Sequence, residues 1–188
     1  MSNPIAAAML GLSLFGVIQQ DQPAAKAKPD SQEEPSCPMH GQHQAAAEAE
    51  RQKGVPERGD QGMGFSHEKT THHFRLYADG GAIEVEANDA QDTENRDAIR
   101  AHFSHIVKMF EAGDFSIPML IHAENPPGAE TMKRLREAIQ YKAENTERGG
   151  RIRIRSNNAE AVKAVHAFLR FQIADHQTGD PVEVVSAP

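Results

Sequence analysis

Three stretches of this chain set imidazole beside thioether. Cys37, Met39, His40 and His43 bring a thiol, a thioether and two imidazoles into residues 37–43. Met63, His67, His72 and His73 follow. His102, His105 and Met109 then run at i, i+3 and i+7, with Met119 and His122 close behind. Imidazole and thioether are neutral donors that suit copper, and zinc less specifically; a thiolate added to them selects Cu(I). The residue types therefore predict a copper ion as the partner, with zinc as the alternative.

Each stretch also has a plainer explanation. Residues 37–43 can be a stray cysteine in a linker. His72 and His73 are adjacent, so in a strand they point to opposite faces and one site cannot easily take both. At about 100° per residue, His102, His105 and Met109 lie along one side of a helix, yet a methionine at such spacing is usually core. His166 and His176 fall near the apolar stripe of the last helical segment and read as structural residues.

Haem is the other cofactor that histidine and methionine can hold. No Cys-x-x-Cys-His is present, so only non-covalent axial ligation stays open. The chain has no nucleophile elbow, His-Glu-x-x-His, phosphate loop or dinucleotide fingerprint. It reads as a binding protein rather than an enzyme, with a metal-free interaction module as a further alternative.

Several elements must position these residues. Thr71–Tyr77 and Ala82–Ala87 alternate around Asp79-Gly80-Gly81, which predicts a hairpin. His72, Phe74 and Leu76 would share one face with Ile83 and Val85. Asp92–Glu111 reads as a helix capped by Asp92 or Thr93 and stopped at Gly113, with Ile99, Phe103, Ile106 and Phe110 as its core stripe. Phe115–His122 reads as extended, and Thr131–Ala138 as a short helix. Alternation at Ile139, Tyr141, Ala143 and again at Ile152, Ile154 predicts a second hairpin; a helix continuing to Glu144 competes with it. Asn157 or Asn158 caps a last helix to about His176. The order ββα, connector, ββα predicts an α+β fold, a two-layer antiparallel four-stranded sheet with helices on one face.

Composition sets the outer limits. Hydrophobic residues make up 38% of the 188 residues because residues 21–62 hold almost no large apolar side chain. Residues 28–62 therefore read as a disordered linker carrying the Cys/Met/His motif, residues 63–182 as the folded domain and residues 183–188 as a frayed tail. Residues 4–18 form an apolar run too short for a confident membrane span, and Ala25-Lys26-Ala27 offers a cleavage site. Residues 1–27 thus read as a signal peptide or N-terminal anchor, and the chain as exported, to the periplasm in a bacterium. The net charge of −7 disfavours nucleic acid. The run Arg151, Arg153, Arg155 is short and is offset by Glu84 and Glu86 if these share a sheet face. No membrane contact beyond the N-terminal segment is expected. The single cysteine rules out an internal disulfide and a multi-cysteine zinc site.

The string Cys37-Pro38-Met39-His40 resembles the opening of the small heavy-metal-binding domain of copper-efflux proteins. Only these four residues match; the aromatic residue before the cysteine and the later paired cysteines are missing. Residues 63–180 resemble a small group of mostly exported bacterial proteins. That resemblance is carried by Met63-Gly64-Phe65, Thr70-Thr71-His72-His73-Phe74, His102-Phe103-Ser104-His105-Ile106 and Phe168-Leu169-Arg170-Phe171-Gln172-Ile173. It implies export and a shared domain, and it implies no mechanism.

Overall fold

The computed structural model describes the backbone of residues 38–187 and the side chains of residues 45–187. Cys37 and the N-terminal segment lie outside the described residues, as do the side chains of Met39, His40 and His43. Two helices come first, α1 (Pro38–Lys53) and α2 (Val55–Met63). A hairpin follows, β1 (Thr70–Tyr77) and β2 (Gly80–Ala87), then α3 (Thr93–Glu111). Two short helices, α4 (Ser116–His122) and α5 (Ala129–Arg134), and a 3-10 turn (Arg136–Ala138) lead to β3 (Ile139–Asn145) and β4 (Gly149–Ser156). The last helix is α6 (Ala159–Asp175).

The fold is α+β, as the patterning predicted. The four strands form one antiparallel sheet in the order β1-β2-β4-β3, so the two hairpins join through their second strands. α3 packs mainly on β3 and β4, whereas α6 packs mainly on β1 and β2. Each long helix thus lies over the hairpin of the other half. This crossing carries the end of α6 to β1.

Local chemistry explains the boundaries. The Asp92 side chain accepts from the Asn95 backbone N–H at the start of α3, and Asn158 accepts from those of Glu160 and Ala161 at the start of α6. Gly113, at φ 76°, ends α3 in the left-handed region that glycine tolerates. The core lies between sheet and helices, where Ile99, Phe103, Ile106 and Phe110 of α3 meet Ile152, Ile154, Phe168 and Leu169. Gly81 lets α6 approach: a Cβ there would sit 2.2 Å from Leu169 Cδ1.

The outer face of the sheet is a charge ladder. Arg75 and Glu84 are 4.0 Å apart, Arg151 and Glu84 3.4 Å, Arg151 and Glu144 3.8 Å. Arg153 is held by Asp79 and by the Tyr77 ring at 4.7 Å, so the arginine run is paired within its own sheet.

Four expectations need correction. Residues 38–62 were expected to be linker and are helical but for Gly54; their low apolar content is offset by Val55, which is buried, and by Arg51 and Arg58, which reach into the domain. Residues 116–122 of the segment read as extended (115–122) are helix rather than strand. Pro118 sits in the first turn of α4, where its missing N–H costs nothing, and the turn buries Ile121 and His122 together. The first hairpin turns at Ala78 and Asp79, because Gly80 and Gly81 already pair with Tyr77 and Leu76. Finally, part of the tail is docked: Val185 exchanges backbone hydrogen bonds with Leu76 and Ala78 beside β1.

Candidate metal site

All but β3 of the sheet, with α2, α3, α4 and α6, line a half-open cavity of about 60 Å³ whose wall carries Met63, His72, His102, His122, Gln172 and His176 among apolar side chains. Among the described residues, no aspartate or glutamate borders it. A groove of about 540 Å³ lies alongside and shares Met63, His72 and His176; its further wall includes Ala49, Gln52, Lys53, His67 and Asp175.

Three of these imidazoles are neutral at ordinary pH. His72 projects from β1 toward the helices, between Phe65 at 6.0 Å and the parallel ring of His176 at 5.4 Å, measured between centroids. Its Nε2 is shielded from solvent and has no hydrogen-bond partner among the described residues. Burial first, and then the neighbouring His102, His73 and His67, pushes its pKa down to about 4. His102 meets Phe65 edge-on at 5.6 Å, and burial followed by the field of His105 takes it to about 4. His176, the residue after α6, is driven to about 3 by burial and by His72 and His122, against an opposing pull from Asp175. These rings keep their lone pairs without competition from protons, the state a metal ligand needs.

His122 behaves differently. Its Nδ1 bonds the Asp175 carboxylate, and its Nε2 faces the Gln172 side-chain oxygen at 2.9 Å. Both ring nitrogens are engaged by the protein. Asp175 is itself buried and also takes Arg51, whose guanidinium donates to the His122 carbonyl at 2.6 Å. Burial pushes the Asp175 carboxyl up, but the bonds from Arg51 and His122 outweigh it and hold it below the usual value. Arg58 donates to the Ile121 carbonyl at 2.7 Å and to the Arg51 carbonyl at 2.8 Å. The two arginines thereby satisfy carbonyls that the end of α4 leaves free.

Among the described residues, one set of three ligand-type side chains brings its donor atoms within 4.8 Å: Glu48, Glu124 and Asp175. Arg51 pairs with all three, so a fixed cation already occupies that place. The histidines instead border a space without closing on a point.

The remaining sequence candidates divide clearly. His105 is exposed: it shares a side of α3 with His102, but an offset of about 60° leaves it outside the cavity that His102 borders. Met109 packs against the core and does not border the cavity. Met119, expected beside His122, is 42% exposed, since the helical form of α4 swings it outward. His73 takes the opposite face of β1, as alternation required, and bonds Asp180 at 2.9 Å. His67 Nδ1 bonds Asp60 at 2.9 Å. His166 is structural, as expected, with its Nε2 bonded to the Tyr77 carbonyl at 2.8 Å. His176 was expected to be structural as well, yet it borders the cavity. Its place just after the last helix lets its side chain leave that helix's own stripe.

Comparison with known protein families, curated proteins and solved structures found no match to this chain.

Proposed function

We propose that the domain binds one transition-metal ion, copper in its cuprous state, between His72, His102 and His176 with Met63 as the sulfur donor, for sequestration, delivery or sensing outside the cytoplasm. The observation that carries this reading is the buried, unpartnered Nε2 of His72. A buried polar atom without a partner costs roughly 1–3 kcal/mol and calls for a reason. Two further neutral imidazoles and a thioether share its cavity. A bound ion would supply the missing partner.

The donor set favours the singly charged ion. The cavity wall carries no carboxylate to offset a second positive charge. The cost of burying an ion rises with the square of its charge, and soft neutral ligands suit Cu(I). About 60 Å³ holds an ion or one or two waters. Binding would require the rings of His72 and His176 to turn toward a common point.

Titration of the full chain with Cu(I) against a chromophoric chelator tests the reading. Cys37→Ser and Met39→Ala are introduced to silence the N-terminal motif. One ion per chain is the expected result, and no uptake would remove it.

A second reading is favoured by the groove. At about 540 Å³ it falls in the range of small-molecule sites, with His72, His176 and Met63 on its wall. A haem would have to sit there, because the cavity is too small for a macrocycle. A Soret band on haem addition, with cuprous uptake absent, would select this reading.

A further inference from the structure

The geometry points to a second, outer metal station at His67, from which an ion passes across the groove to His72 and His176. This inference rests on the metal reading above. His67 lies between α2 and β1. Asp60 accepts from its backbone N–H at 2.7 Å and contacts its Nδ1 at 2.9 and 3.0 Å. The ring is therefore held by its own backbone and by one nitrogen. In the neutral ring, Nδ1 carries the proton toward the carboxylate and Nε2 keeps its lone pair. A carboxylate that fixes tautomer and orientation behind a ligating histidine is a recurrent device of metal sites, and it raises the ligand's basicity.

The position of His67 gives this device a purpose. Its side chain is 40% exposed, so it meets solvent, yet it borders the same groove as Met63, His72 and His176. The last three also border the cavity, which makes them the shared wall between the outer space and the inner one. His73 has a comparable carboxylate partner in Asp180, but it lies on the opposite face of β1 and outside the groove. Asp175 borders the groove, but Arg51 and His122 engage its carboxylate. Lys53 is the cation on the groove wall, and it pairs with Glu50 at 3.2 Å. His67 is thus the histidine placed to receive an ion from water on this path.

The inner rings need such a station. They are half-buried, and an ion must shed water to reach the shielded His72 Nε2. Stepwise exchange lowers that cost. The ion first trades a water or carrier ligand for His67 Nε2. The His67–metal bond then breaks as a nitrogen of His176 or His72 takes its place. The oxidation state does not change, and the ring leaves as it arrived.

The test is the rate of loading. The full chain carrying Cys37→Ser and Met39→Ala is mixed in stopped flow with Cu(I) held by a chromophoric chelator, and final affinity is measured separately. His67→Ala should slow loading by roughly tenfold while final stoichiometry and affinity stay unchanged. Asp60→Asn, which keeps one acceptor for the backbone, should slow it less. Unchanged rates in His67→Ala would overturn the outer station, and so would a matching loss of affinity, which would make His67 a resident ligand. A parent protein that binds no Cu(I) at all removes the metal reading itself, a result distinct from either.

Discussion

The rings of His72 and His176 lie parallel at an interplanar angle of 11°, although one belongs to the first strand of the sheet and the other follows its last helix. The crossing of α6 over the first hairpin makes this pairing. Both rings are neutral, and both border the groove and the cavity. Stacking alone does not explain why an Nε2 between them lacks a partner.

Replacement of these two rings should therefore be felt by a bound ion. His72→Ala and His176→Ala should each lower Cu(I) affinity by about 10–100-fold, a loss of the size usual for groups that hold or orient a metal. His102→Ala should lower it as well. His105→Ala and Met119→Ala should leave it unchanged, because both side chains face solvent. Competition titrations of the five variants decide the matter. Equal affinity across the series would remove the inner site.

The sequence disclosed the frame better than the site, and particular residues show why. The alternation of His72, Phe74 and Leu76 against Ile83 and Val85 is a local signal, and it placed His72 on the buried face. The spacing of Ile99, Phe103, Ile106 and Phe110 did the same for α3, with His102 beside the stripe. The place of His176 on the cavity wall was not legible, because its neighbours across the groove belong to β1 and α4, and no local pattern reports a helix crossing. Met119 was misjudged through secondary structure: Ser116–His122 is apolar enough to read as a strand, and only the joint burial of Ile121 and His122 makes it helical. Arg51 went unremarked because an arginine in a polar stretch carries no mark of the buried aspartate it will meet.

The three neutral imidazoles fix the response of the metal-free protein to acid. Their folded values, about 4 for His72 and His102 and about 3 for His176, lie below the ordinary 6.5. Between pH 6.5 and 4 the unfolded chain binds more protons at these sites than the folded one. Stability is thus complete above pH 6.5 and falls as the pH drops toward 4. Urea unfolding at pH 7, 6 and 5 should show a midpoint that declines steadily at nearly constant slope. His72→Phe and His176→Phe should flatten the decline. A midpoint independent of pH across that interval would contradict the buried, neutral state.

Arg51 joins α1 to the domain through the Asp175 carboxylate and the His122 carbonyl. Its removal leaves a buried carboxylate with His122 as its remaining hydrogen-bond partner and a helix-end carbonyl uncapped. Arg51→Ala should cost about 2–4 kcal/mol in urea unfolding and should expose α1 to proteolysis before the rest of the domain. While Arg51 is present, Mg²⁺ or Ca²⁺ should give no thermal stabilisation, because its guanidinium already occupies the space between Glu48, Glu124 and Asp175. A rise in Tm with either ion would contradict that assignment.

Asp180 plays the matching part beside the middle of β1. Its carboxylate accepts from the Phe74 backbone N–H at 2.9 Å and from the Thr178 hydroxyl at 2.8 Å, contacts His73 Nδ1 at 2.9 Å, and lies 3.4 Å from Arg75. Burial pushes this carboxyl up, and the backbone N–H, the Thr178 hydroxyl and His73 bring it below its ordinary value. The stability it contributes is therefore complete above the ordinary carboxylate pKa and is lost as the pH falls through the lower folded one. Asp180→Ala leaves the Phe74 N–H without its acceptor and frees the loop that leads to Val185. A loss of about 2 kcal/mol is expected. Faster hydrogen exchange at Phe74, Ala78 and Val185 should accompany it, since the last two bond across the same edge. The cuprous affinity should stay unchanged, because Asp180 and His73 lie on the face of β1 opposite His72. An affinity that fell together with stability would mean that the two faces of the strand are coupled.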